Sequence, residues 1–167
     1  MKAIIAYFSR KGNNYVQGEI VNLPVGNTEA AAKKIAGLIG GDLFEIKTAV
    51  PYAEDYHACT QQAQQELQAQ ARPQLAVTMS DISGYDVIYL GYPNWWTTAP
   101  MAVFTFLEQA DFTGKIIKPF CTHEGSGMGK SEQDIQKACP FAVVEPGLAI
   151  RGSQVSHCDR LLEGWVI

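Results

Sequence analysis

Five short apolar runs, each followed by a stretch of helical spacing, constrain this chain's fold more than any other feature. Lys2–Phe8, Asp42–Thr48, Tyr85–Gly91, Lys115–Cys121 and Val143–Ile150 read as strands. A strand with one wet face alternates apolar and polar residues, whereas continuous apolar runs suit burial on both faces. The intervening segments predict helices over Thr28–Ile39, Asp55–Arg72, Pro100–Gln109, Ser131–Ala138 and Ser153–Trp165. In the first of these, Ala31, Ala32, Ile35, Ala36 and Ile39 share one face, and Gly40-Gly41 stops the helix. Pro73 ends the second, and Ser153 is the expected cap of the last. Repeated strand–helix alternation predicts a parallel sheet with helices on both faces, an α/β fold. Ligands of such sheets sit beyond the carboxyl ends of the strands, near the topological switch point. The loops after strands one, three and four are therefore the places to look for function.

The 167 residues, 47% of them hydrophobic and 18% charged, suit a single domain spanning 1–167. A net charge of −4 argues against nucleic acid or an anionic membrane as partner. No apolar segment approaches the roughly 18 residues of a membrane span. The N-terminal apolar run is too short for a signal-peptide core, and no small-residue cleavage site follows it. Cys59, Cys121, Cys139 and Cys158 contain no CxxC pair, which fits a cytoplasmic protein with reduced thiols.

Loop one carries the first chemical signal. Ser9-Arg10 closes the first strand, and Gly26-Asn27-Thr28-Glu29 opens the first helix. A helix N-terminus offers free N–H groups and a positive dipole end, and small polar residues add donors without bulk. Together these features can hold a phosphate. Residues 11–25 separate the two halves and read as an insertion, since βα loops usually take about 2–6 residues. The competing reading makes Gly26-Asn27-Thr28-Glu29 an ordinary helix cap, with Asn27 or Thr28 capping.

Loop three, Tyr92 to Pro100, contains the adjacent pair Trp95-Trp96. In an extended segment the two cannot face the same way, so one suits the core and the other can stack on a planar ligand. Loop four, Thr122 to Ser131, ends in Gly-Lys-Ser but fails the GxxxxGK[ST] spacing, because Glu124 stands where the first Gly belongs. Its glycines suit close approach of backbone to a flat ligand. Cys121 and His123, His57 and Cys59, and His157 and Cys158 fall in different elements with no zinc spacing, so no metal site is expected.

Taken together, the three loops resemble the flavodoxin-like family, and in particular a bacterial subgroup of small flavoproteins with a split phosphate loop. Tyr7-Phe8-Ser9-Arg10 supplies the front of that loop and Gly26-Asn27-Thr28-Glu29 the back, alongside Gly-Tyr-Pro-Asn-Trp-Trp and Thr-His-Glu-Gly-Ser-Gly. The resemblance implies a three-layer sandwich with a five-stranded parallel sheet of order 2-1-3-4-5. It implies flavin mononucleotide (FMN) as cofactor, with Ser9, Arg10, Asn27 and Thr28 at the phosphate. Pro93, Asn94, Trp95 and Trp96 would line the isoalloxazine ring, and Thr122, His123, Glu124, Gly125 and Ser126 would meet its pyrimidine edge or other face. Electron-carrier flavodoxins usually cover the ring with an aromatic from each of two loops, but loop four here has none. One ring face should then be open or covered by small residues, which suits hydride transfer.

The leading expectation is an FMN-dependent oxidoreductase, resembling NAD(P)H:quinone reductases, that acts on quinones or similar flat acceptors, with His123 as the candidate catalytic residue. The alternatives are a one-electron carrier serving a redox partner protein and a non-catalytic module that keeps the fold. A small-molecule electron donor or acceptor is the expected partner. Tyr15, Val16 and Ile20 in the insertion would mark a homodimer contact if exposed.

Overall fold

The computed structural model describes residues 1–166; the expected domain also includes Ile167, which lies outside the described residues. The elements run β1 (Ala3–Tyr7), β2 (Gly12–Val16), β3 (Glu19–Leu23), α1 (Asn27–Ile39), β4 (Asp42–Glu45), α2 (Tyr56–Ala69) and β5 (Val87–Pro93). They continue with α3 (Met101–Gln109), β6 (Ile116–His123), α4 (Ser131–Ala138), β7 (Val143–Val144), β8 (Leu148–Arg151) and α5 (Asp159–Trp165). The main sheet is parallel, in the order β4-β1-β5-β6, with β7 and β8 both pairing with β6. With β7 and β8 sharing the fifth position, this is the expected 2-1-3-4-5 order. The chain leaves β1 for β4 on one side and later returns to β5 on the other. The switch point therefore opens between β1 and β5.

The period of two along each strand divides the core. Ile4 and Ala6 of β1 and Phe8 just beyond it face one cluster with Ile88, Leu90 and Tyr92, while Ile5, Tyr7, Val87 and Tyr89 face the other. Helix α3, buried all round from Met101 to Leu107, fills the first layer with Ile135 of α4. Ala31, Ala32 and Ile35 of α1 and Leu162 of α5 fill the second. Each fully buried Ile, Leu or Phe contributes about 1.5–3 kcal/mol relative to exposure.

The structure departs from the sequence reading in several places, among them the second strand, which ends at Glu45 instead of Thr48. The 11–25 insertion is an antiparallel hairpin, β2–β3, in which Gly12 pairs with Leu23 and Val16 with Glu19. Gln17 and Gly18 turn it with φ of 51° and 86°, the two positive values that a tight two-residue hairpin loop needs. The expected strand Val143–Ile150 breaks into β7 and β8, because Pro146 has no N–H to give a ladder. The second helix stops at Ala69 with Gln70 left-handed at its end, three residues short of the expectation. Ser153 does not cap the last helix. It lies in a 3₁₀ turn over Gly152–His157, and α5 begins at Asp159. Residues three apart eclipse in a 3₁₀ turn, which puts both Val155 and Cys158 into the core.

Gly91 sits in the middle of β5 where an added Cβ would run into the Phe120 ring. Gly91→Ala is expected to destabilise the fold by about 1–3 kcal/mol through overpacking, measured by urea unfolding. An unchanged midpoint would mean that Phe120 has room to move.

Candidate cofactor cleft

The two halves of loop one meet despite the hairpin between them. Gly26 is the N-cap of α1 and brings no side chain to cap it, while the Glu29 N–H donates to Ser9 Oγ at 3.0 Å. Ser9 thus serves as a remote cap, the role that the sequence leaves between Asn27 and Thr28. Only glycine fits at position 26, where a Cβ would meet Ser9 Oγ and the Arg10 carbonyl. Thr28 instead reaches the end of β6, its Oγ1 lying 2.8 Å from Thr122 Oγ1 in a buried contact. Among the described residues, no acceptor takes the N–H of Asn27 or Thr28. Two donors at the positive end of a helix dipole are therefore left facing the cleft.

The hairpin folds over this end of the sheet. Arg10 Nε donates to the Asn13 carbonyl at 2.9 Å and Nη2 to the Glu54 carbonyl at 2.8 Å. Asn14 Nδ2 returns to the Arg10 carbonyl at 2.9 Å. Tyr15 stacks on Tyr56 at the start of α2, with centroids 6.0 Å apart and planes at 24°. At the hairpin tip, Gln17 N–H donates to Glu124 Oε2 at 3.2 Å. Tyr15 is 42% exposed and Ile20 44%, so these two of the three residues weighed as a dimer contact face solvent.

Loops three and four hold each other. Asn94 Nδ2 donates to the Gly127 carbonyl at 2.7 Å, and the Lys130 N–H donates to the Thr97 carbonyl at 2.8 Å. Thr98 Oγ1 donates to Asp134 Oδ2 at 2.7 Å. Trp96 and Thr97 lie in the left-handed region, with φ of 56° and 73°, which is strained for a bulky and a β-branched residue. A Cβ at Gly129 would overlap the Thr97 carbonyl, so at this position the glycine-rich loop makes room for loop three. The sequence reading assigned that freedom to contact with a flat ligand. Trp95 packs edge-on to Phe8 and Tyr52 at 5.1 and 5.2 Å and joins the core, leaving Trp96 45% exposed with its Nε1 donating to the Thr60 carbonyl.

These elements enclose a cleft of about 370 Å³. From loop one, Arg10, Asn27 and Thr28 line it; from loop three, Pro93, Asn94 and Trp95; from loop four, Thr122, His123, Glu124, Gly125 and Ser126. Two of the expected residues lie elsewhere. Ser9 borders a neighbouring cavity because its hydroxyl is committed to Glu29, and Trp96 borders another beneath α2. Three residues that the sequence reading did not place at the cofactor join the cleft, namely Asn14, Tyr56 and Tyr15, the last of which it weighed as a dimer contact. The Tyr-Val and Ile-Val pairs flanking Gln17-Gly18 were the only sign of a hairpin that could bring Tyr15 there. A larger cavity of about 650 Å³ lies on the far side of Ser9 and Arg10. Its walls mix Glu29, Glu45 and Glu54 with Arg10, Lys11 and Lys47, and neither Asn27 nor Thr28 borders it, so the smaller cleft, with the helix N-terminus, is the better anion site.

His123 Nδ1 accepts the Gly125 N–H at 2.8 Å, which leaves any imidazole proton on Nε2. Burial holds its pKa below the ordinary value of 6.5, Arg151 lowers it further, and Glu124 opposes them. Cys121 is fully buried, and burial pushes its thiol up to about 12, so it supplies no nucleophile. Among the described residues no cluster of His, Cys, Asp or Glu could hold a metal ion, and no helix is long and apolar enough to cross a membrane.

A parallel sheet of this order, with an anion-ready helix N-terminus and two interlocked loops at its switch point, defines a nucleotide-cofactor protein of the doubly wound class. A family model described as flavodoxin matches residues 2–166, and the chain belongs to the flavodoxin family. A candidate flavoprotein from Bacteroides uniformis is 28% identical, with a TM-score of 0.78 over 99% of this chain and 97% of that one. A Lactobacillus acidophilus flavoprotein solved in complex with FMN has a TM-score of 0.67 at 22% identity, covering 93% and 96%. Oxidised flavodoxin 1 from Bacillus cereus has a TM-score of 0.56 at 18% identity, covering 99% and 97%. The last two are likenesses of fold. No curated protein matches the chain.

Protonating His123 would turn Nδ1 from acceptor to donor and break the Gly125 hydrogen bond. Because the folded-state pKa is lowered, stabilisation by this contact is fully present above the unfolded value of 6.5 and is lost as pH falls through the folded value. An NMR titration should show a His123 midpoint below 6.5, with the Gly125 amide moving at the same midpoint. A midpoint at or above 6.5 would contradict this geometry.

Proposed function

We propose that the protein is an FMN-dependent oxidoreductase that reduces quinones or similar flat acceptors with electrons from NAD(P)H. FMN is the cofactor, in keeping with the family and with the FMN complex of the Lactobacillus acidophilus protein. The cleft's own chemistry fits it. The unclaimed N–H groups of Asn27 and Thr28, the α1 dipole and the fixed charge of Arg10 suit a phosphate. Glu124 and the Ser126 N–H offer an acceptor and a donor of the kind a pyrimidine edge requires. Glu124 is an acceptor only and suits a ring N–H, not the phosphate. When bound, the flavin supplies the redox chemistry, and the chain supplies orientation and electrostatics. His123, neutral at physiological pH, can donate from Nε2 to a carbonyl.

The observation that carries the oxidoreductase reading is the loop-four wall. It contributes no Phe, Tyr or Trp, and Gly125 and Ser126 are exposed, leaving a small-residue side through which a second reactant can approach to within about 3–3.5 Å. A second reading, a one-electron carrier for a protein partner, is favoured by Tyr15 and Tyr56, which bring aromatic cover from the hairpin and α2 instead.

Purified protein should show flavin absorption, and Arg10→Ala, which removes the fixed charge from the cleft, should weaken FMN binding by about tenfold or more, as loss of a contact to a charged group does. NADPH oxidation with a quinone panel should exceed the rate with free FMN. Turnover no faster than free FMN, with a stable semiquinone on stepwise reduction, would favour the carrier. A colourless protein that ignores added FMN would remove both.

A further inference from the structure

A second cavity, of about 320 Å³, opens off the cofactor cleft between α2 and the 94–96 segment. It shares Arg10, Asn14, Tyr56, Asn94 and Trp95 with the cleft, so occupants of the two would be neighbours. Its own residues are Cys59, Thr60 and Ala63 on one face of α2, and Trp96. The volume falls in the range of small-molecule pockets, ~300–1,000 Å³.

The walls are aromatic and fixed. Trp96 is pinned by its Nε1 donating to the Thr60 carbonyl at 2.9 Å, on a backbone whose left-handed conformation continues into Thr97. Loop four maintains that strain through Gly129 and through Lys130 N–H to the Thr97 carbonyl. Without it, Trp96 could turn away to solvent. Tyr56 borders the same space and is held by Tyr15 of the hairpin.

The floor is small, since Cys59 and Ala63 are both buried and neither fills the space. Burial raises the Cys59 thiol above its ordinary value, so it brings neither charge nor nucleophile. No carboxylate or lysine lines the cavity. Arg10 brings an uncommitted donor, since it spends Nε and Nη2 on backbone carbonyls while Nη1 has no acceptor among the described residues.

We propose that this cavity binds a flat aromatic carbonyl compound between Tyr56, Trp95 and Trp96, with Arg10 Nη1 at a carbonyl and Ala63 and Thr60 setting the size limit. The role of that compound as electron acceptor rests on the oxidoreductase reading; the cavity and its selectivity do not.

The test is an equilibrium titration of the oxidised, FMN-loaded protein with 2-methyl-1,4-naphthoquinone, with no electron donor present, read by quenching of tryptophan fluorescence. Wild type should show saturable quenching. Ala63→Leu and Thr60→Leu, which fill the cavity from its floor, should each weaken quinone binding by about tenfold or more, while FMN affinity stays within about twofold. Equal quinone affinity in folded variants, or no saturable quenching in wild type, overturns the proposal. So does loss of folding in both variants, since an open cavity accepts the added groups. If wild type retains no FMN yet binds quinone in an Ala63-sensitive manner, the cavity assignment holds and the oxidoreductase reading fails.

Discussion

The hydrogen bond from the Glu29 N–H to Ser9 Oγ ties the end of β1 to the first turn of α1 across the whole inserted hairpin. Much of the site depends on that tie. It satisfies one of the orphan donors of the helix with a residue that stands outside the cleft, and it leaves Asn27 and Thr28 unclaimed. It requires a glycine at 26, because Ser9 and the Arg10 carbonyl press against that α-carbon. The hairpin is thus an addition hung on an intact phosphate-loop geometry. It contributes Asn14 and Tyr15 to the rim without displacing the helix.

A second constraint arranges the far side. Loops three and four do not close on the cleft independently, because Asn94, Thr97 and Thr98 are each bonded to loop four or α4. The left-handed pair Trp96-Thr97 is the strained consequence, held in place by its neighbours. It splits the tryptophan pair, sending Trp95 into the Phe8–Tyr52 cluster and Trp96 out against α2. The cofactor cleft and the cavity beneath α2 are therefore shaped by one interlocked unit.

The strands and the helices were legible because their signals are local, namely continuous apolar runs, helical spacing and glycine stops, whereas the strand order came from the family resemblance. Asn27, Thr28, Pro93, Asn94 and the 122–126 segment were legible as cleft residues because strand ends in a parallel sheet converge on one edge. The hairpin was not, since Gly12–Leu23 is half polar and sits on the surface, where alternation carries little information. With the hairpin unread, the place of Tyr15 and its partner Tyr56 in the cleft went unread too. The role of Ser9 as a remote cap was hidden for a different reason. A cap is sought next to the helix it serves, and here it comes from twenty residues earlier in the chain. The broken fifth strand was foreseeable from Pro146; the 3₁₀ turn before α5 was not, because its spacing imitates the start of a helix.

The central claim is that the N-terminus of α1 receives the anionic end of the cofactor. The most direct measurement is an ¹H–¹⁵N correlation spectrum of the cofactor-free protein with and without one equivalent of FMN. The largest amide shifts should fall on Asn27 and Thr28, downfield as for N–H groups bonded to phosphate oxygens, with smaller shifts at Gly125 and Ser126. Shifts confined to the larger cavity around Glu45, Lys47 and Glu54, with Asn27 and Thr28 unmoved, would contradict the account.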